Sequence, residues 1–114
     1  MIMNGKWKDT ADFIRNFNFH LGIGQFYHGD AINCTDSIYA FVQNYFTVKL
    51  PNSSFTLGKD VTKEIEIIMN IDSWFETPLI YDHNHWGGNI MQIQPAMQMA
   101  KENGTDVFSI GYIH

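Results

Sequence analysis

A chain of 114 residues that is 45% apolar and 15% aromatic has the length of one domain and enough hydrophobic surface to bury a core, which excludes a disordered polypeptide. Seven basic against twelve acidic residues leave a net charge of −5, a field that repels phosphates and anionic lipid and so argues against direct nucleic-acid or membrane binding. One cysteine excludes an internal disulfide and fits a reducing, cytoplasmic location.

The opening segment MIMNGKWKDTADF lacks the continuous apolar stretch of a signal peptide, and no apolar run approaches the ~20 residues needed to cross a bilayer. Asp9 or Thr10 can cap a first short helix, with Phe13, Ile14 and Phe17 as its apolar stripe. Residues 21–28, LGIGQFYH, read as a weak strand interrupted by glycines, and HGDAIN as a loop. A stronger helix is expected from Thr35, where Ile38, Phe41, Val42, Tyr45 and Phe46 recur at helical spacing until Leu50-Pro51-Asn52 breaks the pattern. SSFTL at 53–57 is a further candidate strand, closed by the turn residues Gly58-Lys59-Asp60.

KEIEIIMNI is the clearest strand. Ile65, Ile67, Met69 and Ile71 are expected on a buried face, with Glu64, Glu66, Ile68 and Asn70 on a wet, acidic one. Asp72-Ser73 turns the chain, and PLIYD reads as an antiparallel neighbour. Pro95 suits the first turn of a helix running to about Asn103, with Gly104 as its stop and Ile93, Ala96, Met97 and Ala100 facing inward. VFSIGYI closes the chain as a strand. The expectation is a single compact α+β domain over 1–114, with a mostly antiparallel sheet of about four strands packed by three short helices.

Three clusters carry residues with possible chemistry. Cys34 stands at a helix start, where the dipole stabilises a thiolate; AINCTDSIYAFVQNYF resembles the nucleophile helix of NlpC-type cell-wall peptidases over about a dozen residues. That family's Ser-Gly pair is Thr35-Asp36 here, and the other reading of Cys34 is a small buried hydrophobe. A hydrolase would need His28, His83 or His85 as its base. Tyr27-His28-Gly29 resembles the start of the NAD pocket of ADP-ribosyltransferases, without that family's later glutamate strand.

In YDHNHWGGN, residues 81–89, an extended backbone would put His83 and His85 on one face as metal ligands. A third ligand would come from His20, His28, His114, Asp72 or Glu76. The string Asp82-His83-Asn84-His85-Trp86-Gly87-Gly88 resembles the core of some HNH nucleases, but a single cysteine excludes their paired zinc knuckles. The same residues also read as turn formers at the rim of an interaction surface, with no cofactor and no metal.

The third cluster is an acidic and aromatic face. Glu64, Glu66, Asp72, Glu76 and Asp82 lie close in sequence to Trp74, Phe75, Tyr81 and Trp86, the composition of an interface with a basic protein. From Asp60 to Asp82, six acids stand against Lys63 alone. A small acidic chain without a full catalytic set is expected to bind, and to inhibit or neutralise, a basic protein, as immunity proteins and phage-encoded inhibitors do. Self-association through an exposed C-terminal strand is the alternative partner. No family covers enough of the chain to claim membership.

Overall fold

A computed structural model describes residues 1–27 and 38–114, and among these residues the chain forms three antiparallel strand pairs and three helices. The first pair joins β1 (Ile2–Lys8) to β2 (Ile14–His20) in continuous register from Ile2 opposite His20 to Lys8 opposite Ile14. Alternation explains the pairing. Met3, Gly5 and Trp7 turn inward from β1, Phe17 and Phe19 turn inward from β2, and Asn16 and Asn18 face out. Gly5 has no side chain, so the Phe17 ring opposite lies over its backbone, where a Cβ would collide with it.

This hairpin replaces the first helix expected from Asp9. Asp9 organises a turn instead: its Oδ1 accepts from the amides of Ala11 and Phe13, each at 2.9 Å. Its Oδ2 accepts from Arg15 Nε at 2.8 Å. An aspartate that can cap a helix can equally close an Asx turn, and the two-residue periodicity of Asn16 to Phe19 decides between them.

The second pair is β3 (Ile23–Tyr27) with β4 (Ile38–Gln43). Residues 38–43 were expected to be helical; the run IYAFVQ is rich in β-branched and aromatic side chains, and pairing with β3 overrides its helical spacing. Residues 53–57 form no strand. The third pair is β5 (Ile65–Met69) with β6 (Phe108–Ile113), with a register shift between Ile65 and Ile67. The three pairs are separate two-stranded sheets, not the single sheet of about four strands read from the sequence. The mixture of helices with antiparallel strands is retained.

PLIYD is not a strand. Between β5 and β6 come α1 (Ser73–Glu76), α2 (His83–Trp86) and α3 (Gln94–Gly104). Pro95 sits in the first turn of α3, and Ala96, Met97, Ala100, Asn103 and Gly104 are its buried residues. The core gathers Phe19 and Leu21 from the first hairpin, Trp74, Tyr81 and Ile90 from the α1–α3 region, Met97 and the two alanines of α3, and Val107.

Buried amides tie these parts together. Asn103 donates to the carbonyls of Trp74 (2.9 Å) and Leu79 (2.8 Å) and accepts from the Leu79 amide (2.9 Å). Asn44, just past β4, exchanges two hydrogen bonds with Gln94 of α3, at 3.1 and 2.9 Å. Satisfying these two amides matters because an unpaired buried polar group costs about 1–3 kcal/mol.

Candidate interaction surface

The loop around YDHNHWGGN is built as a short helix. Asp82 Oδ1 accepts from the Asn84 amide at 2.8 Å and caps α2. Successive helical residues are turned by about 100°, so His83 and His85, two apart, point to nearly opposite sides. The extended geometry that would put both imidazoles on one face is therefore absent.

His83 turns inward. Its ring stacks on Trp7 (5.2 Å between centroids) and Phe17 (4.8 Å), with Phe75 and Tyr81 at 5.1 and 5.0 Å. His85 is exposed and meets the edge of Trp86. Among the described residues no three His, Cys, Asp or Glu side chains converge as metal ligands would. Cys34 and His28 lie outside the described residues, as does the cysteine–histidine pair a hydrolase would need.

Both glycines of the loop have a structural reason. Gly87 ends α2 with φ +77°, in a region that side chains rarely enter. Gly88 passes so close to β2 that a Cβ would strike the backbone oxygen of Asn16, and its carbonyl accepts from the Asn18 amide at 2.6 Å. The stretch is thus a clasp that fastens α2 to the first hairpin.

Burial among the rings lowers the His83 pKa, against smaller upward effects of a hydrogen bond to the Gly87 backbone and of the Asp82 charge. A histidine with a depressed folded pKa contributes stability that is full above its unfolded value of ~6.5 and is lost as pH falls through the folded value. His83 Nδ1 is buried without a partner, so a phenyl ring in its place leaves that atom's position apolar among the aromatics and gives up only the bond to the Gly87 backbone. The native urea midpoint is expected to fall below about pH 6.5, and His83→Phe to flatten that fall. An unchanged pH profile would mean that His83 is not the group responsible.

The acidic and aromatic residues predicted to form one face separate into two sets. Glu64, Glu66, Asp72, Glu76 and Asp82 are all exposed. Trp74 and Tyr81 are core residues, and Phe75 and Trp86 are half-buried and packed against the core. Burial pushes the Tyr81 hydroxyl up to about 12. The adjacent pair Trp74 and Phe75, assigned to the acidic face, instead packs inward from α1: Trp74 lies edge-on to Phe19 and Phe46, and Phe75 packs on Phe17 and Phe19.

Aliphatic side chains accompany the acids instead. Every residue of β5 is exposed, including the neighbours Ile67 (59%) and Ile68 (45%), which must point to opposite faces. Met69, Ile71 and Ile80 add to the exposed apolar surface. The buried face expected for β5 is thus open to solvent. The Ile67-Ile68 doublet was the available signal, because a strand apolar on both sides calls for cover on both sides.

Glu64 and Glu66 rest against β6. Glu64 Oε1 accepts from the Tyr112 hydroxyl at 2.7 Å, and this bond raises the Tyr112 pKa. The Glu66 carboxylate lies where a side chain on Gly111 would be. Among the described residues the ion pairs are Lys8–Asp12 and Arg15–Asp9, both in the first hairpin, so no described acid of the second half is held in an ion pair. No described helix is long and apolar enough to cross a membrane. Comparison of the chain with protein-family models, curated proteins and solved structures returned no match.

Proposed function

We propose that the chain is a cytoplasmic protein-binding module that covers, and thereby inhibits or neutralises, a basic protein partner. One observation supports this reading above others: β5 exposes aliphatic side chains on both faces beside Glu64 and Glu66, which form no ion pair among the described residues. Covering an isoleucine or methionine side chain contributes about 1.5–3 kcal/mol, and a two-stranded ribbon left in water is marginal on its own. The surface therefore gains most when another protein lies on it, and the unpaired carboxylates favour a cationic one. A second copy of the chain brings its own charge of −5 to the contact and is the weaker candidate.

Co-purification with a basic protein in ~0.1 M salt, and its loss in ~1 M salt where the Debye length falls from ~10 to ~3 Å, is the expected behaviour. The double variant Glu64→Lys, Glu66→Lys is expected to lose that partner while unfolding at nearly the native urea concentration, because both residues are exposed. Retention of the partner by this variant would remove the acidic strand from the interface.

A further inference from the structure

The proposed binding role leaves open how a partner would engage, and the free edge of β6 answers that more specifically than the apolar surface does. Phe108 to Ile113 line one wall of a groove of about 700 Å³, and Val48, Lys49, Pro51 and Ser54 contribute to the other. Successive strand residues point to alternate faces, so a groove touched by six in a row lies along the strand's edge and not over one face. Six residues of strand span about 20 Å. Among the described residues, no backbone hydrogen bond joins β6 to the 48–54 wall, and β5 is the only strand paired with it.

The hydrogen-bond pattern identifies which amides face the groove. Glu64 and His114 exchange both backbone bonds, at 3.0 and 2.9 Å, and the Asn70 amide donates to Val107 at 2.9 Å. Directly bonded and non-bonded pairs alternate along an antiparallel ladder. The pairs Met69–Phe108, Ile67–Ile110 and Ile65–Ile113 are therefore the non-bonded ones, and Phe108, Ile110 and Ile113 turn their N–H and C=O groups away from β5 into the groove.

Charge narrows the choice of occupant. Because Gly111 has no side chain, the Glu66 carboxylate lies over the β6 backbone at Gly111, itself a residue of the groove lining. Asp106 lines the groove, and Lys49 is the cation in its lining. We infer that the groove receives an extended, cationic segment of the partner protein, which adds to β6 as a third strand. Its backbone bonds Phe108, Ile110 and Ile113, and its basic side chains meet Glu66 and Asp106. This inference rests on the basic-partner reading and makes it specific.

The test uses capped hexapeptides alternating lysine and valine, followed by fluorescence anisotropy on the intact chain. Only every second amide of an added strand faces its neighbour. N-methylation at one set of alternate positions is therefore expected to weaken binding at least about tenfold, while the other set is tolerated. Amide exchange at Phe108, Ile110 and Ile113 is expected to slow when the unmethylated peptide is present, and Glu66→Gln to weaken binding severalfold. Equal binding by both methylated peptides, with Glu64 and Glu66 still required, would overturn strand addition and leave the basic-partner reading standing. No binding of the unmethylated peptide, with a basic protein still held by the native chain and lost on charge reversal, would have the same meaning. Loss of both the peptide and the charge dependence would overturn both.

Discussion

Asn103→Ala is expected to destabilise the fold by about 3 kcal/mol, one of the largest effects open to a single polar side chain in this protein. Its amide is buried and makes three hydrogen bonds, two to the carbonyls of Trp74 and Leu79 and one from the Leu79 amide. Alanine removes all three partners and leaves backbone groups that water reaches poorly, at about 1 kcal/mol each near the lower end of the usual range. For a chain of this size that corresponds to a fall of roughly 10 °C in Tm. Asn103→Asp separates hydrogen bonding from packing. An ionised aspartate keeps the bond from the Leu79 amide but opposes two carbonyl oxygens, so its folded pKa should rise above ~3.9. Stability of this variant should then recover below the unfolded value and be lost as pH rises through the folded one. Urea unfolding at about pH 3 and about pH 7 reads both. A loss under about 1 kcal/mol for the alanine variant would mean that water replaces the amide and that Asn103 does not clamp α1 to α3.

The parts of this fold legible in the sequence are those whose signals are local. Pro95 and Gly104 bracket α3, with Ala96, Met97 and Ala100 on its buried side, and all these signals lie within the helix itself. The β-branched run at 65–69 and FSIGYI at 108–113 likewise announce strands. Where the deciding contact is distant, local reading failed. Phe13, Ile14 and Phe17 have helical spacing, but the Phe17 ring finds its place over Gly5 in the opposite strand, twelve positions earlier. The acids around Trp74 suggested a wet surface, yet its partners Phe19, in β2, and Phe46, past the end of β4, lie far from it in the chain. In the stretch at 81–89 the turn-forming residues Asp82 and Gly87 are visible in the sequence, and they bound a short helix. That Asp82 caps a helical turn, and so sends His83 inward and His85 outward, follows only from the hydrogen bond it makes. The candidate surface was half legible: its five acids are exposed as expected, while its apolar component is aliphatic and sits on the strand expected to be buried.

The position of Trp74 has a consequence that separates the fold from the surface. Trp74 is fully buried and packs edge-to-face on Phe19 and Phe46 at 5.7 and 5.8 Å. Trp74→Ala should therefore cost about 3–5 kcal/mol, the range for removing a large aromatic from a core that cannot close over the space. Its indole N–H is buried without a partner, so Trp74→Phe gives up no hydrogen bond. The smaller ring leaves a gap, but removing an unsatisfied donor returns about 1 kcal/mol, and the net loss should stay below about 2 kcal/mol. An interface tryptophan would behave in the opposite way, with little change in unfolding and a large loss of binding on truncation to alanine. Measured together, urea midpoints and affinity for a lysine–valine peptide distinguish the two roles. Trp74→Phe should keep the native affinity, and Trp74→Ala should lose binding only in proportion to the fraction of molecules unfolded. Glu66→Gln should do the reverse, leaving the midpoint in place while weakening the peptide, because its carboxylate lies over Gly111 at an exposed strand edge and supports nothing in the core. A native midpoint together with lost affinity in Trp74→Ala would return the aromatic side chain to the binding face and remove the strand edge from its central place.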